Sequence, residues 1–526
     1  MRALLVSLAL AIAAPGLAQE APPPPDPTGR PLSAIDWLSE SVRAPDPLAI
    51  GQGRGRVTTG IDEAPVATDA TAPQVTVMPL GAASPDPIGL LPSSVTGLPR
   101  TLWAGSDETV VATLIAAELI ETLPAMRDLM RMLLLAEADP PRTAGPDGTL
   151  FLARIDKLLD LGALDPAWEM LDASDPDSPP LFRRYLDVAL LTGRETRACR
   201  LMDERPELAP TLSARIFCLA HIGDWPAAAL TLNTARVLGD VSPAEEALLA
   251  RFLDPELFQG LPPLTVPERP TPLGFRLREG IGESLSTVGL PRAFAHADLR
   301  PITGWKARLE AAERLARVGA IDDTVLLDLY TLRQPAASGS VWDRAEAIQA
   351  FDDALQTGRA EDVAAALGPA WDAMKAARTE TAFARLFAAE LAALPLEGRA
   401  EGLAYRIGLL SDSYEEIALD HTPANAEEAM LAQIALGQPP EPAPQSQPAL
   451  AIHTALAGAP PPERLAGMVA EDRLGEAILR AIALFDSGVA GDPGALTEAL
   501  AFFRAVGLED TARRAALQLI ILERAP

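Results

Sequence analysis

From about residue 106 onward, apolar positions recur at steps of three and four, the spacing of helices that bury one face. Ser106, Asp107 and Glu108 supply a cap and acids for a first turn, and Val111, Ile115, Leu119 and Leu123 then step by four along one side. Pro124 suits the first position of a second helix, with Met126, Leu129, Met130 and Leu133 as its buried stripe. Upstream the pattern is different. Residues 1–18 combine Arg2, an apolar run over 3–13 and the small residues Gly16 and Ala18, which predicts an export signal cleaved after Ala18. The run is shorter than the roughly 20 residues that span a bilayer.

Residues 19–105 hold no lysine, many prolines and almost no helical periodicity. Proline runs such as Ala44-Pro45-Asp46-Pro47 and Ser84-Pro85-Asp86-Pro87 keep the preceding residues extended, so the expectation is a flexible or extended arm. Within it, Ile35, Leu38 and Val42 fall at helical spacing beside Trp37. This apolar cassette either docks on a partner or folds back onto the chain's own helices. Val75-Thr76-Val77-Met78 and Thr101-Leu102-Trp103 are expected as extended pieces along the helical body.

Beyond residue 150 a phrase repeats. Gly162, Gly193 and Gly223 are each followed by Ala five positions later and by Leu171, Met202 or Leu232 nine positions later, at intervals of 31 and 30 residues. Glycine ends one helix in a left-handed conformation, Asp-Pro or Asp-x-Pro starts the next, and alanine lets the pair approach closely. The phrase returns at Gly358, with Leu367, and at Gly507, with Ala512 and Leu517.

On these residues, and above all on Ile222-Gly223-Asp224-Trp225-Pro226-Ala227-Ala228-Ala229-Leu230, the chain resembles the tetratricopeptide-like helical-repeat superfamily, with a period nearer 30 than that family's 34. The likeness covers about 150–252 and returns in pieces over 305–526. It implies an all-α fold of stacked antiparallel hairpins, a solenoid with a concave binding face, and no reaction.

Proline and glycine punctuation divides the rest: a helical-repeat body over 106–254, a non-helical insertion or connector over 255–304, and a second repeat body over 305–437. A proline-rich linker at 438–448 then leads to a C-terminal helical bundle over 449–526. The formal charge of −28 on 526 residues, spread along the chain, disfavours nucleic acid and anionic membrane surfaces as partners. No later stretch is apolar enough to span a membrane, so no integral membrane segment is expected after signal cleavage.

Candidate chemistry is sparse. His221, His296, His421 and His453 stand singly, without metal-ligand spacing, and no nucleophile elbow or phosphate loop occurs, so no cofactor, metal or catalytic residue is assigned. Cys199 and Cys218 fall on consecutive antiparallel helices, at heights that permit a disulfide if both face the shared seam; otherwise they are two buried thiols. These readings favour a periplasmic, non-catalytic scaffold or adaptor for envelope proteins, in envelope assembly or motility. The alternatives are a cell-wall hydrolase, or a regulator of one, and a protein that binds a soluble ligand in an aromatic pocket of the 255–304 insertion.

Overall fold

The structure is a computed structural model that describes residues 84–336 and 338–522. The leader 1–18 and the cassette of Ile35, Trp37, Leu38 and Val42 lie outside the described residues. Within them the chain is all-helical, with no strand and one isolated β-bridge, Leu91 to Ala136.

After a single turn, α1 (Ser93–Thr96), the first pair is α2 (Glu108–Ala117) and α3 (Pro124–Leu135). Three hairpins follow: α4 (Thr149–Leu161) with α5 (Leu164–Ala173), α6 (Pro179–Thr192) with α7 (Glu195–Glu204), and α8 (Leu212–His221) with α9 (Trp225–Leu238). Gly162 and Gly193 end the leading helices of the first two, both at φ 76°, where a side chain would be strained. Gly223, Gly358 and Gly507 also have positive φ. Ala167, Ala198 and Ala228, five positions after the first three glycines, are fully buried where consecutive helices meet.

The chain continues through α10 (Pro243–Leu253), α11 (Pro272–Gly280) and the one-turn α12 (Ala295–Asp298). It then runs through α13 (Trp305–Ala316), α14 (Asp323–Thr331), α15 (Val341–Thr357), α16 (Ala360–Ala377), α17 (Glu380–Ala392) and α18 (Arg399–Gly408). The last stretch holds α19 (Tyr414–Asp420), α20 (Ala426–Ala435), α21 (Gln447–Leu456), α22 (Glu463–Ala470), α23 (Leu474–Val489), α24 (Pro493–Ala505) and α25 (Glu509–Ile521). Neighbours in sequence are often neighbours in space, but non-sequential contacts are also numerous, among them α2 with α4 and α21 with α24. Helix α11 folds back against α6, and the chain ends meet, α25 packing on α3 and α23 on α2. One apolar core therefore contains both Leu102, Val111 and Met126 near the beginning and Ile478, Phe502 and Leu517 near the end. A second core runs from Leu309 to Leu410. The proline-rich stretch at 438–448 does not separate cores, because α18 to α20 before it and α21 to α25 after it contribute to the same one.

Three expectations are corrected. The arm does not extend to 105: residues 84–105 belong to the helical body, with Asp86, Leu98, Leu102 and Trp103 buried, and Thr101-Leu102-Trp103 forms a turn rather than an extended piece. Proline here bends the chain without freeing it. The insertion at 255–304 is not wholly non-helical, because Thr271 caps α11 by accepting from Gly274 N, Pro272 occupies its first turn, and Phe275 and Leu277 are buried. The third concerns the first helix, which stops at Ala117 and leaves Leu119 exposed instead of continuing the stripe to Leu123. The Lys157 ammonium donates to the carbonyls of Ala116 (2.9 Å) and Glu118 (3.0 Å), satisfying groups that another turn of helix would have paired.

Arg154 holds the entry segment. Its guanidinium is fully buried and donates to Leu134 O (2.7 Å), Ala136 O (2.9 Å) and Asp86 O (3.0 Å), closing the C-terminus of α3 and the incoming chain together. The Asp86 carboxylate accepts from Phe151 N at 2.7 Å at the start of α4. Burial lowers the Arg154 pKa to about 10, so it remains charged at neutral pH. Replacing Arg154 with Met strands three buried carbonyls and is expected to lower unfolding stability by about 3 kcal/mol or more, measured by urea denaturation.

Candidate functional site

Cys199 on α7 and Cys218 on α8 form a disulfide, with Cα atoms 4.8 Å apart. The two helices are joined through a 3₁₀ turn at Pro206–Leu208, and both cysteines are buried. The bond borders a shallow cavity of about 20 Å³, lined also by Met202, Arg215 and Ile222, with room for about one water.

The most concentrated buried polar chemistry lies where the chain ends meet. Glu118 leaves the end of α2 and is buried beside Lys157, whose ammonium also lies 3.7 Å from Asp160. Asp486 on α23 accepts a short hydrogen bond from the Thr122 hydroxyl, and its second oxygen is buried without a partner. Arg127 donates to Thr122 O at 2.6 Å, and Gln518 on α25 accepts from Ala125 N at 2.7 Å. Burial first, and the charge of Asp486 second, raise the Glu118 pKa to about 8, against the opposing pull of Lys157. Burial likewise raises Asp486 to about 6, with the Thr122 hydrogen bond opposing it. A carboxyl held protonated near neutrality is what a general acid requires, so Glu118 is the residue in the helical body with the electronic character of one. In sequence nothing distinguishes it from Glu108 and Glu121 of the same stretch. Its charged neighbour Asp486 lies far along the chain, and no local pattern announces that pairing.

The histidines are placed separately. His296 is buried with Nε2 2.6 Å from Gly162 O, and burial lowers its pKa. His421 stacks on Tyr405 at 3.8 Å between ring centroids and lies 3.0 Å from Glu428 Oε2. Glu428 also accepts from Ala424 N (2.8 Å) and Asn425 Nδ2 (2.9 Å), so the pair ties the loop between α19 and α20. Tyr405 Oη is buried with no partner. His453 lies 3.0 Å from Pro440 O, and His221 Nε2 lies 2.9 Å from the Thr196 hydroxyl. No group of three His, Cys, Asp or Glu residues suited to a metal ion occurs among the described residues. In the insertion, Phe275 and Phe294 pack against each other edge to face at 5.5 Å and are buried, so these two rings fill the core rather than line a pocket.

Helix α9 presents a different surface. It buries Ala228, Leu232 and Ala235 and leaves Trp225 (46% exposed), Leu230 (68%), Val237 (83%) and Leu238 (65%) to solvent. Pro226, Leu230, Thr234 and Val237 share the outward face at helical spacing. In a chain of net charge −28, residues 225–238 carry no acid and only Arg236 as a base. The repeat phrase locates this helix, but its exposure depends on where the chain goes afterwards. The turn into α11, which packs on α6 and α10, leaves the outer side of α9 uncovered.

Comparison with protein-family models, with curated proteins and with solved structures finds no match. No helix among the described residues is long and apolar enough to cross a membrane.

Two measurements follow from this geometry. Because the folded pKa values of Glu118 and Asp486, about 8 and about 6, lie above those of ordinary carboxyls, the folded state retains protons that the unfolded chain releases. Their contribution is therefore most favourable in acid and is lost as pH rises toward about 8. Glu118→Gln is expected to flatten the decline in melting temperature between about pH 5 and about pH 8; an unchanged slope refutes the assignment. For the disulfide, replacing both cysteines by serine is expected to lower stability by about 3 kcal/mol, and unreduced denatured protein should show no free thiol.

Proposed function

We propose that this chain is an exported, non-catalytic helical-repeat scaffold whose uncovered α9 face binds an amphipathic helix of a partner protein in the bacterial envelope. The observation that carries this reading is the outward stripe of Leu230 and Val237, flanked by Trp225 and Leu238, on a helix almost without charge. Exposed apolar surface of this kind favours desolvation by an apolar counterpart, and the scarcity of charge removes the usual penalty for burying ionised groups. In this reading the hairpins form two stacked repeat-rich stretches, and the proline-rich segment upstream of residue 84 offers Ile35, Trp37, Leu38 and Val42 as a second attachment. The buried Cys199–Cys218 disulfide supports residence in an oxidising compartment such as the periplasm. Envelope assembly or motility would use a scaffold of this kind.

A second reading, a cell-wall hydrolase, rests on the raised pKa of Glu118. The two separate cleanly. A photo-crosslinking residue at Leu230 or Val237 should yield one discrete intermolecular adduct in cells, lost in the Leu230→Asp variant, while the same probe at the exposed but remote Leu419 yields none. A crosslink from α9 to residues 32–42 of the same chain would show that the cassette covers this face and would end the partner reading. Clearing of purified peptidoglycan by wild-type protein but not by Glu118→Gln would establish the hydrolase instead.

A further inference from the structure

Five arginines converge on the turn after α13. Arg314, in the last turn of that helix, donates to Thr287 O (2.9 Å) and, over a short contact, to Leu290 O. Arg317 donates through Nε to Ala377 O (3.0 Å) at the end of α16, and the following Arg378 takes a left-handed conformation at φ 58°. Arg292 crosses from the insertion, with its stem against Gly162 and Nη2 2.6 Å from Glu121 Oε1, while its Nε is buried without a partner. Arg131 on α3 completes the group, with Nη2 3.4 Å from Val318 O and from Asp128 Oδ1.

Nearby carboxylates neutralise this cluster only in part. Glu121 is held by Arg292. Glu313 is taken by Arg344 through two bonds of 2.7 and 2.6 Å and by the Tyr330 hydroxyl at 2.7 Å. Asp298 accepts from Thr287. Arg314, Arg317 and Arg378 make no carboxylate contact within 4.0 Å among the described residues, and the terminal nitrogens of Arg317 have no hydrogen-bond partner. Burial pushes Arg314 and Arg317 below the usual guanidinium range, reinforced at Arg314 by Arg292 and Arg317 and opposed at Arg317 by Glu121 and Glu313. In a chain with 72 acidic and 44 basic residues, grouping guanidinium groups costs free energy that Glu121 and Asp128 return only in part. Neighbouring guanidinium forks match the oxygens of a carboxylate or phosphate.

We propose that Arg292, Arg314, Arg317 and Arg378 form a binding site for a small oxyanion, a phosphate or a polycarboxylate, at the junction of α13, α16 and the 255–304 insertion. Arg314 and Arg292 are fixed by their backbone and Glu121 bonds and set the floor. Arg317 and Arg378 supply the free donors. The site is separate from the α9 face and stands whether or not that face binds a partner.

The test uses the full chain in thermal unfolding, titrated with inorganic phosphate and, separately, with citrate, against sodium chloride at matched ionic strength. A saturable rise in melting temperature with phosphate alone assigns a phosphate site, and with citrate alone a carboxylate site. Arg317→Gln and the exposed Arg378→Gln should each weaken the effect about tenfold or more, the scale of a lost charged hydrogen bond, while Arg359→Gln on the exposed start of α16 leaves it intact. Arg378→Gln serves if Arg317→Gln fails to fold. An equal response to chloride, or an undiminished response in Arg378→Gln, overturns the proposal.

Discussion

The fold depends on a contact between segments more than 370 residues apart. The Trp103 indole lies on Gly475 at the start of α23, so closely that a β-carbon there would come within 2.3 Å of the ring. Backbone bonds lock the two stretches: Gly105 N donates to Asp472 O, and Gly475 N donates to Leu102 O, both at 2.9 Å. Helices α2 and α3, which would otherwise end the stack with an apolar side in water, are covered by α23 and α25. An open helical stack needs polar capping repeats at its ends; here each end covers the other. Residues 84–105 could not be a free arm, because Trp103 is one half of that closure.

What was legible in the sequence was local. The interval from glycine to buried alanine, the prolines at first helical turns and the stripe of Met126, Leu129, Met130 and Leu133 depend on contacts within one hairpin, which spacing alone describes. The stop of α2 at Ala117 was not legible, because Lys157, which donates to its last carbonyls, belongs to a different helix about 40 residues on. Asp86 and Pro87 read as linker, because the buried guanidinium of Arg154 that receives Asp86 O cannot be inferred from either residue. Helix α11 was hidden by the glycines and prolines around it, although Thr271 and Pro272 form an ordinary helix start. Long-range polar groups decided the first two misses.

The same limit applies to candidate chemistry. Glu118 resembles Glu108 and Glu121 in sequence, yet only Glu118 is turned inward, where α23 brings Asp486 beside it. The arginines near Val318 come from four places in the chain, and only Arg314 and Arg317 are close to each other in sequence. The apolar side of α9 is visible in the sequence as an uncharged helix, but whether such a helix is core or surface depends on what packs over it.

One short loop ties the polar seam to the arginine cluster. Between α2 and α3, Glu118 turns into the seam, Glu121 turns outward to Arg292, and Thr122 bonds Asp486 through its hydroxyl while its carbonyl accepts from Arg127. The loop thus carries a carboxyl that keeps its proton near neutrality, one that remains an ion-pair partner, and the hydroxyl that holds the last long helix. Ionising Glu118 places a negative charge beside Asp486 and opposes the closure of α23. An anion among the arginines would compete with Glu121 for Arg292 and pull on the same backbone from the other side. Both events would act on residues 118–122, and any linkage between them is reciprocal: whatever proton uptake at the seam does to anion affinity, the anion does to proton affinity in equal measure.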